Sequence, residues 1–160
     1  MKLFKKNHTL LAICDGRCAK LSEMPDEAFA SGMLGEGVTV FPTSGHFFSP
    51  VSGKIESIAE SRHAYTILSE DGLEILVHIG VDTVEMKGDG FTTHVKAGQT
   101  IRAGDPLADA DLSKISDRGF STATALLITN PEKIQITDQR HGEVKGAKDT
   151  LLSYRLVQKG

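Results

Sequence analysis

The chain has 160 residues, of which 39% are hydrophobic and 24% charged, enough for one globular domain with a real core and too few for two ordinary ones. A formal net charge of −3 excludes a general basic field for nucleic acid, and no apolar run approaches the roughly 18 residues of a membrane span. Two cysteines without an extracellular cue exclude a disulfide scaffold and argue for a reducing, cytoplasmic setting.

The first residues, Met1-Lys2-Leu3-Phe4-Lys5-Lys6, look like a charged leader. The apolar stretch that follows, Leu10 to Cys14, is five residues long, whereas a secretory core needs roughly 7–15. Leu3, Phe4 and three lysines offer about one amphipathic turn, too little for stable membrane insertion. Residues 1–8 are therefore expected as a short solubilising tail, and residues 9–160 as a single domain.

Sixteen glycines interrupt almost any long helix. Two short helices are expected. One covers residues 25–30, with Pro and acids at its start and Gly32 beyond its end. The other covers residues 111–118, with Asp111 as N-cap and Gly119 as stop. Short β-prone runs occupy residues 38–41, 53–58, 64–68, 73–79, 100–102, 123–128 and 151–156. At this spacing, with turn residues between, they read as an all-β sandwich or barrel. A weak internal echo aligns residues 12–18 with residues 49–55. Each reads as a tight turn followed by a strand that opens with a basic residue, as duplicated strand-turn units would give.

The informative stretch runs from His63 to His78. Two β-prone runs flank Ser69-Glu70-Asp71-Gly72, a strong turn signal. If Ser69 pairs with Gly72, then Leu68 faces Leu73, Tyr65 faces Leu76 and His63 faces His78, with Cβ atoms about 4.5–5.5 Å apart. If Asp71-Gly72 is itself the loop, the histidines become diagonal neighbours. An odd-length loop without a bulge would put them on opposite faces.

Two imidazoles on one face suit phosphoryl chemistry, because a neutral imidazole nitrogen is a nucleophile near pH 7. Two satisfied histidines beside a core would give the same pattern. Zinc is disfavoured, since a structural site wants four ligands and a catalytic one about three, with no H-x-H or H-E-x-x-H here. After His78 comes Ile79-Gly80-Val81-Asp82-Thr83-Val84, in which the glycine permits close approach of backbone or ligand.

Residues 72–84 closely resemble the phosphorylation-site motif of the glucose-type IIA family of the bacterial phosphoenolpyruvate:sugar phosphotransferase system. The resemblance extends to Pro25-Asp26-Glu27-Ala28-Phe29-Ala30, Gly35-Glu36-Gly37, Ser49-Pro50-Val51-Ser52-Gly53 and Arg62-His63-Ala64-Tyr65. Downstream it includes Lys87-Gly88-Asp89-Gly90-Phe91, Ala97-Gly98-Gln99, Gly104-Asp105-Pro106-Leu107 and Ile128-Thr129-Asn130.

The resemblance implies a compact antiparallel β-sandwich and a phosphocarrier. Such a protein takes a phosphoryl group from the histidine-containing phosphocarrier protein HPr and passes it to a cysteine on the IIB domain of a sugar permease. It needs no cofactor and no metal. The phosphorylated histidine falls on His78, and the second active-site histidine on His63. Ser61 falls where the family has a hydroxyl residue, a further hydrogen-bond donor. Gly80 matches a glycine whose carbonyl orients the nucleophilic imidazole. Docking positions fall on Phe29, Met33, Leu34, Leu76, Val84 and Met86, and Asp82 supplies a charge for basic residues of the partners. For each apolar position, ordinary core packing is the competing reading.

The chain departs from the family pattern at Ala59, often aromatic, at Arg62, and at Ala125, where proline is common. These bear on partner preference rather than on the chemistry. Cys14 and Cys18 read as structural thiols, and His8, His46, His94 and His141 as exposed polar histidines. Other classes remain in view. A phosphorylation-dependent regulatory docking module would use the same surface. A zinc hydrolase lacks a third ligand and a general base. A lipoyl carrier, suggested weakly by residues 95–107, lacks the hairpin lysine with its usual neighbours.

Overall fold

The computed structural model describes residues 2–3 and 6–158. Along the chain come β1 (Lys2–Leu3), β2 (His8–Leu11), β3 (Gly16–Lys20), α1 (Glu27–Ala30), β4 (Glu36–Pro42), β5 (His46–Phe48), β6 (Gly53–Ile58), β7 (Ala64–Ser69) and β8 (Glu74–His78). They are followed by β9 (Phe91–Thr93), β10 (Thr100–Ile101), β11 (Pro106–Ala110), α2 (Leu112–Asp117), β12 (Thr124–Ile128), β13 (Ile134–Gln139), β14 (Gly142–Val144) and β15 (Thr150–Gln158). All strand pairs among the described residues are antiparallel. The expected all-β architecture is the one observed.

Eight strands form the largest sheet, in the order β10-β6-β7-β8-β12-β4-β3-β14. A second sheet has β15 between β1 and β13, with β2 also pairing with β15, and a third has the order β5-β11-β9. Alternation along the strands sends Val38, Val40, Tyr65, Ile67, Ile75, Val77, Leu126 and Ile128 into the main core. Strand β12 is buried along its whole length. Its other face, Ala125 and Leu127, joins Met24, Phe29, Val81 and Ala123 in a second apolar cluster. An unbroken run, Thr124-Ala125-Leu126-Leu127-Ile128, is what a strand covered on both faces requires.

Both helices form where their caps stand. The Asp26 side chain accepts the Ala28 N–H at 2.9 Å ahead of α1, and Asp111 accepts the Lys114 N–H at 3.0 Å ahead of α2. In the duplicated strand-turn units, Gly16 opens β3 and Gly53 opens β6. Strands β2, β5, β9, β11, β13 and β14 lie outside the runs expected from sequence. Most are three to five residues long and carry charged or hydroxyl residues, so too few alternations mark them. Lys2 and Leu3, within the segment expected as a tail, pair with Gln158 and Val157, and His8 opens β2. Met1, Phe4 and Lys5 lie outside the described residues.

The β7–β8 hairpin corrects the expected register. Ser69 N–H donates to Leu73 O at 2.9 Å, and Gly72 N–H donates to Ser69 O at 3.0 Å. The loop is therefore the three residues Glu70, Asp71 and Gly72, with Gly72 left-handed at φ +87°, the glycine-bulge form of hairpin. Leu68 consequently faces Glu74, Tyr65 faces Val77, and Ala64 faces His78.

Asp71 fixes this loop. Its carboxylate accepts the Tyr154 hydroxyl at 2.7 Å and the Ser69 hydroxyl. His8 stacks on Tyr154 with ring centroids 5.3 Å apart, and its Nδ1 lies 3.5 Å from Asp71 Oδ2. His8 is thus half-buried and partnered rather than an exposed polar histidine. Because Tyr154 is almost fully buried, Asp71→Ala leaves its hydroxyl without an acceptor. We expect the variant to lose about 1–3 kcal/mol of unfolding free energy in urea; a wild-type midpoint would show that the loop needs no such tie.

Candidate active site

His78 is the last residue of β8. Ile75 and Val77 point inward, so Leu76 and His78 point to the opposite, outer face. Its cross-strand neighbours are both alanines, Ala64 on β7 and Ala125 on β12. Two methyl side chains leave lateral room for rings to gather around the imidazole.

His63 reaches that space from outside the regular ladder. It follows Arg62, which sits in the left-handed region at φ 61°, and it precedes β7. Its carbonyl accepts the Ile79 N–H at 2.7 Å, so strict alternation would send its side chain inward with Ile79. The break at Arg62 releases it from that alternation. The two imidazoles meet edge to face, with centroids 4.9 Å apart and planes at 85°. The expected direct opposition is replaced by Ala64 opposite His78, yet the two histidines meet. Phe29 of α1 lies against the other side of the His78 ring, at 4.8 Å between centroids.

The turn after β8 sets the chemistry of His78. Its Nδ1–H donates to the Gly80 carbonyl at 2.9 Å. With that proton on Nδ1, the lone pair of a neutral ring sits on Nε2. Gly80 is left-handed at φ +79°, and a Cβ there would collide with Thr83 Cγ2. Burial holds the His63 pKa down to about 4, with the neighbouring His78 as a second cause. Burial also lowers His78 below its ordinary 6.5, opposed by the Gly80 carbonyl and the carboxylates of Asp26 and Asp82. Both rings are therefore neutral at pH 7, the form in which an imidazole nitrogen is nucleophilic.

The other expected residues divide. The Ser61 hydroxyl donates to the Val84 carbonyl at 3.5 Å, while His63 Nδ1 is buried without a hydrogen-bond partner. Met33, Val84 and Leu34 are exposed to 79%, 50% and 42%, so each offers apolar surface. Leu76 is half-buried against the second cluster, and Asp82 is exposed. Met86 is only 2% exposed and packs in the main core. This corrects its assignment as a docking residue, since the turn after Asp82 points its side chain inward.

Two residues of the site escape the sequence reasoning. Asp26 caps α1 and also acts on His78; its motif was visible, its role was not. Thr83 is fully buried, and its hydroxyl donates to the Ile79 carbonyl at 2.5 Å.

Outside the pair, His46 Nδ1 and His94 Nε2 each lie 2.8 Å from a separate oxygen of Asp109. They are exposed as expected, but tied to one carboxylate across the β5-β11-β9 sheet. Beside them lies a concavity of about 480 Å³ that shares no residue with the His63–His78 pair. Cys14 and Cys18 are buried free thiols. Burial raises both, Cys18 to about 11, so neither is poised as a thiolate. Among the described residues no helix is long and apolar enough to cross a membrane.

A histidine pair stands at the strand end of an antiparallel β-sandwich, both rings neutral and one tautomer held by a backbone carbonyl, an arrangement whose free Nε2 lone pair is capable of nucleophilic chemistry. The family model of the phosphoenolpyruvate-dependent sugar phosphotransferase system, EIIA 1, matches residues 8–134. The glucose-specific EIIA component of Oceanobacillus iheyensis is 39% identical over 145 residues, 91% of this chain and 84% of the relative. The glucose-specific EIICBA component of Streptococcus pneumoniae is 44% identical over 124 residues, 78% of this chain and 17% of that longer protein. Among solved structures, the glucose permease IIA from Mycoplasma capricolum superposes with a TM-score of 0.89 at 38% identity, covering 96% of this chain and 99% of that one. The chain belongs to the EIIA 1 family of the sugar phosphotransferase system, whose components are phosphotransfer proteins.

The buried pair makes stability depend on pH. His63 takes up its proton near pH 6.5 in the unfolded chain and only near pH 4 in the folded one. Between those values the unfolded state binds more protons, so this contribution is full above pH 6.5 and is lost as pH falls toward 4. We expect urea midpoints to fall across that window and His63→Gln to flatten part of the slope. An unchanged slope in His63→Gln would place the titration elsewhere.

Proposed function

We propose that this chain is a phosphocarrier that receives a phosphoryl group from phospho-HPr on His78 Nε2 and passes it to the IIB cysteine of a sugar permease in the cytoplasm. The observation that carries this reading is the hydrogen bond from His78 Nδ1–H to the Gly80 carbonyl. It leaves the Nε2 lone pair as the attacking group.

In the first step that lone pair attacks phosphorus. The bond from phosphorus to the HPr imidazole breaks, and its electron pair returns to the HPr nitrogen. His78 keeps its Nδ1 proton, so the ring becomes cationic. The Gly80 carbonyl and the carboxylates of Asp26 and Asp82, which favour the charged ring, stabilise it. In the second step the IIB thiolate attacks phosphorus, and the Nε2–P bond returns its pair to His78. The protein supplies position and charge stabilisation, with no further covalent work.

His63 stands beside the transferred group as a hydrogen-bond donor to its oxygens, and Ser61 is a second donor once its hydroxyl turns from the Val84 carbonyl. Exposed Met33, Leu34 and Val84, with Phe29 and Leu76 behind them, form the apolar rim that excludes water when a partner docks. Asp82 meets basic residues of the partner. The same exposed rim favours a second use, as a regulatory docking surface read according to the phosphorylation of His78. The relatives named glucose-specific make a glucose permease the first partner to test.

Incubation with phosphoenolpyruvate, enzyme I and HPr should add one acid-labile phosphoryl group by intact mass, and His78→Ala should add none. His63→Gln should still accept the group but pass it to IIB at a rate lower by roughly 10²-fold, the scale of one lost transition-state donor. No gain on wild type, or an undiminished gain in His78→Ala, would overturn the reading.

A further inference from the structure

The Gly80 carbonyl does its work only if it keeps pointing at His78, and glycine is the residue least able to hold a direction by itself. Gly80 sits between two peptide planes. The plane shared with Val81 carries the Gly80 carbonyl and is pinned on its other side, where Val81 N–H donates to Ser121 O at 3.0 Å. The plane shared with Ile79 carries the Ile79 carbonyl, and it is pinned by Thr83, whose hydroxyl donates to that carbonyl at 2.5 Å. Thr83 is 0% exposed, so water does not compete for the bond. Its methyl group occupies the space that a Cβ on Gly80 would take.

We infer that Thr83 is a positioning residue for phosphoryl transfer, locking the Ile79 side of Gly80 so that the His78 proton stays on Nδ1. It touches no substrate and acts through the turn. A left-handed glycine at φ +79° followed by a left-handed Asp82 at φ 61° has alternative conformations close at hand. Without the hydroxyl, the plane between Ile79 and Gly80 can rotate, the Gly80 carbonyl is held only through the Val81 N–H bond to Ser121, and its aim at the imidazole loosens. The ring then samples the tautomer with its proton on Nε2, in which Nε2 has no lone pair with which to attack phosphorus. The methyl group and the hydroxyl are separable, because valine keeps the shape and serine keeps the donor.

This inference rests on the phosphocarrier reading for its rate effect but not for its tautomer effect. The test uses the ¹⁵N-labelled full chain above pH 7, with long-range ¹H–¹⁵N spectra of His78 and single-turnover phosphorylation by phospho-HPr. Wild type and Thr83→Ser should show the Nδ1–H tautomer. Thr83→Val should show a mixture and accept the phosphoryl group roughly tenfold more slowly, the scale of one net hydrogen bond. A Val variant with the wild-type tautomer and rate would overturn the inference, as would a Ser variant as impaired as Val. Should Thr83→Val fail to fold, the wild-type Thr83 hydroxyl proton decides: a slowly exchanging resonance supports the bond, and its absence overturns it. If wild type takes up no phosphoryl group while the Val tautomer still shifts, the phosphocarrier reading fails and the positioning role stands.

Discussion

The central sheet has to bury both of its faces around β12, and the rest of the molecule follows from that constraint. One face is covered by the main core. The other carries Ala125, Leu127 and Leu76, and it is closed by Met24 and Phe29 from the segment around α1. That cover ends at His78, where Phe29 is the last ring in contact. His78 therefore sits at the margin of an apolar cluster, neither in the core nor free in solvent. A histidine at such a margin is desolvated enough to stay neutral and open enough to be reached.

Neutrality and nucleophilicity are balanced there by opposing effects. Burial pushes His78 below its ordinary value, while the Gly80 carbonyl, Asp26 and Asp82 push it back up. His63 has no such support and falls further, to about 4. The difference suits their separate roles. In the proposed transfer, the ring that would acquire positive charge is the one provided with acceptors and carboxylates, and its neighbour would serve as a neutral donor.

The alternation of residues 64–68 and 73–79, the run at residues 123–128 and the Asp111 helix cap each encode local geometry, and strands and a capped helix form there. The histidine pair was legible as a pair, but for an incomplete reason. The loop Glu70-Asp71-Gly72 has three residues rather than two, which places Ala64 opposite His78. Loop length depends on the left-handed Gly72 and on Asp71 binding Tyr154, a residue 83 positions away. A local turn signal cannot report such a partner. The short edge strands were invisible for a related reason: strands of three residues such as His46–Phe48 are fixed by their neighbours' hydrogen bonds, not by their own pattern.

By itself the sequence determined the residue types and the local periods: an all-β chain, a strand ending in His78, and a glycine two residues on. These follow from side-chain alternation and backbone permissiveness, which act over a few residues. The tertiary structure alone decided that His63 leaves its strand's alternation at Arg62 to meet His78. It likewise decided that Met86 turns inward, and that Phe29, Asp26 and Thr83 converge on one turn. Those placements depend on contacts between segments far apart in the chain, where packing and desolvation set the outcome.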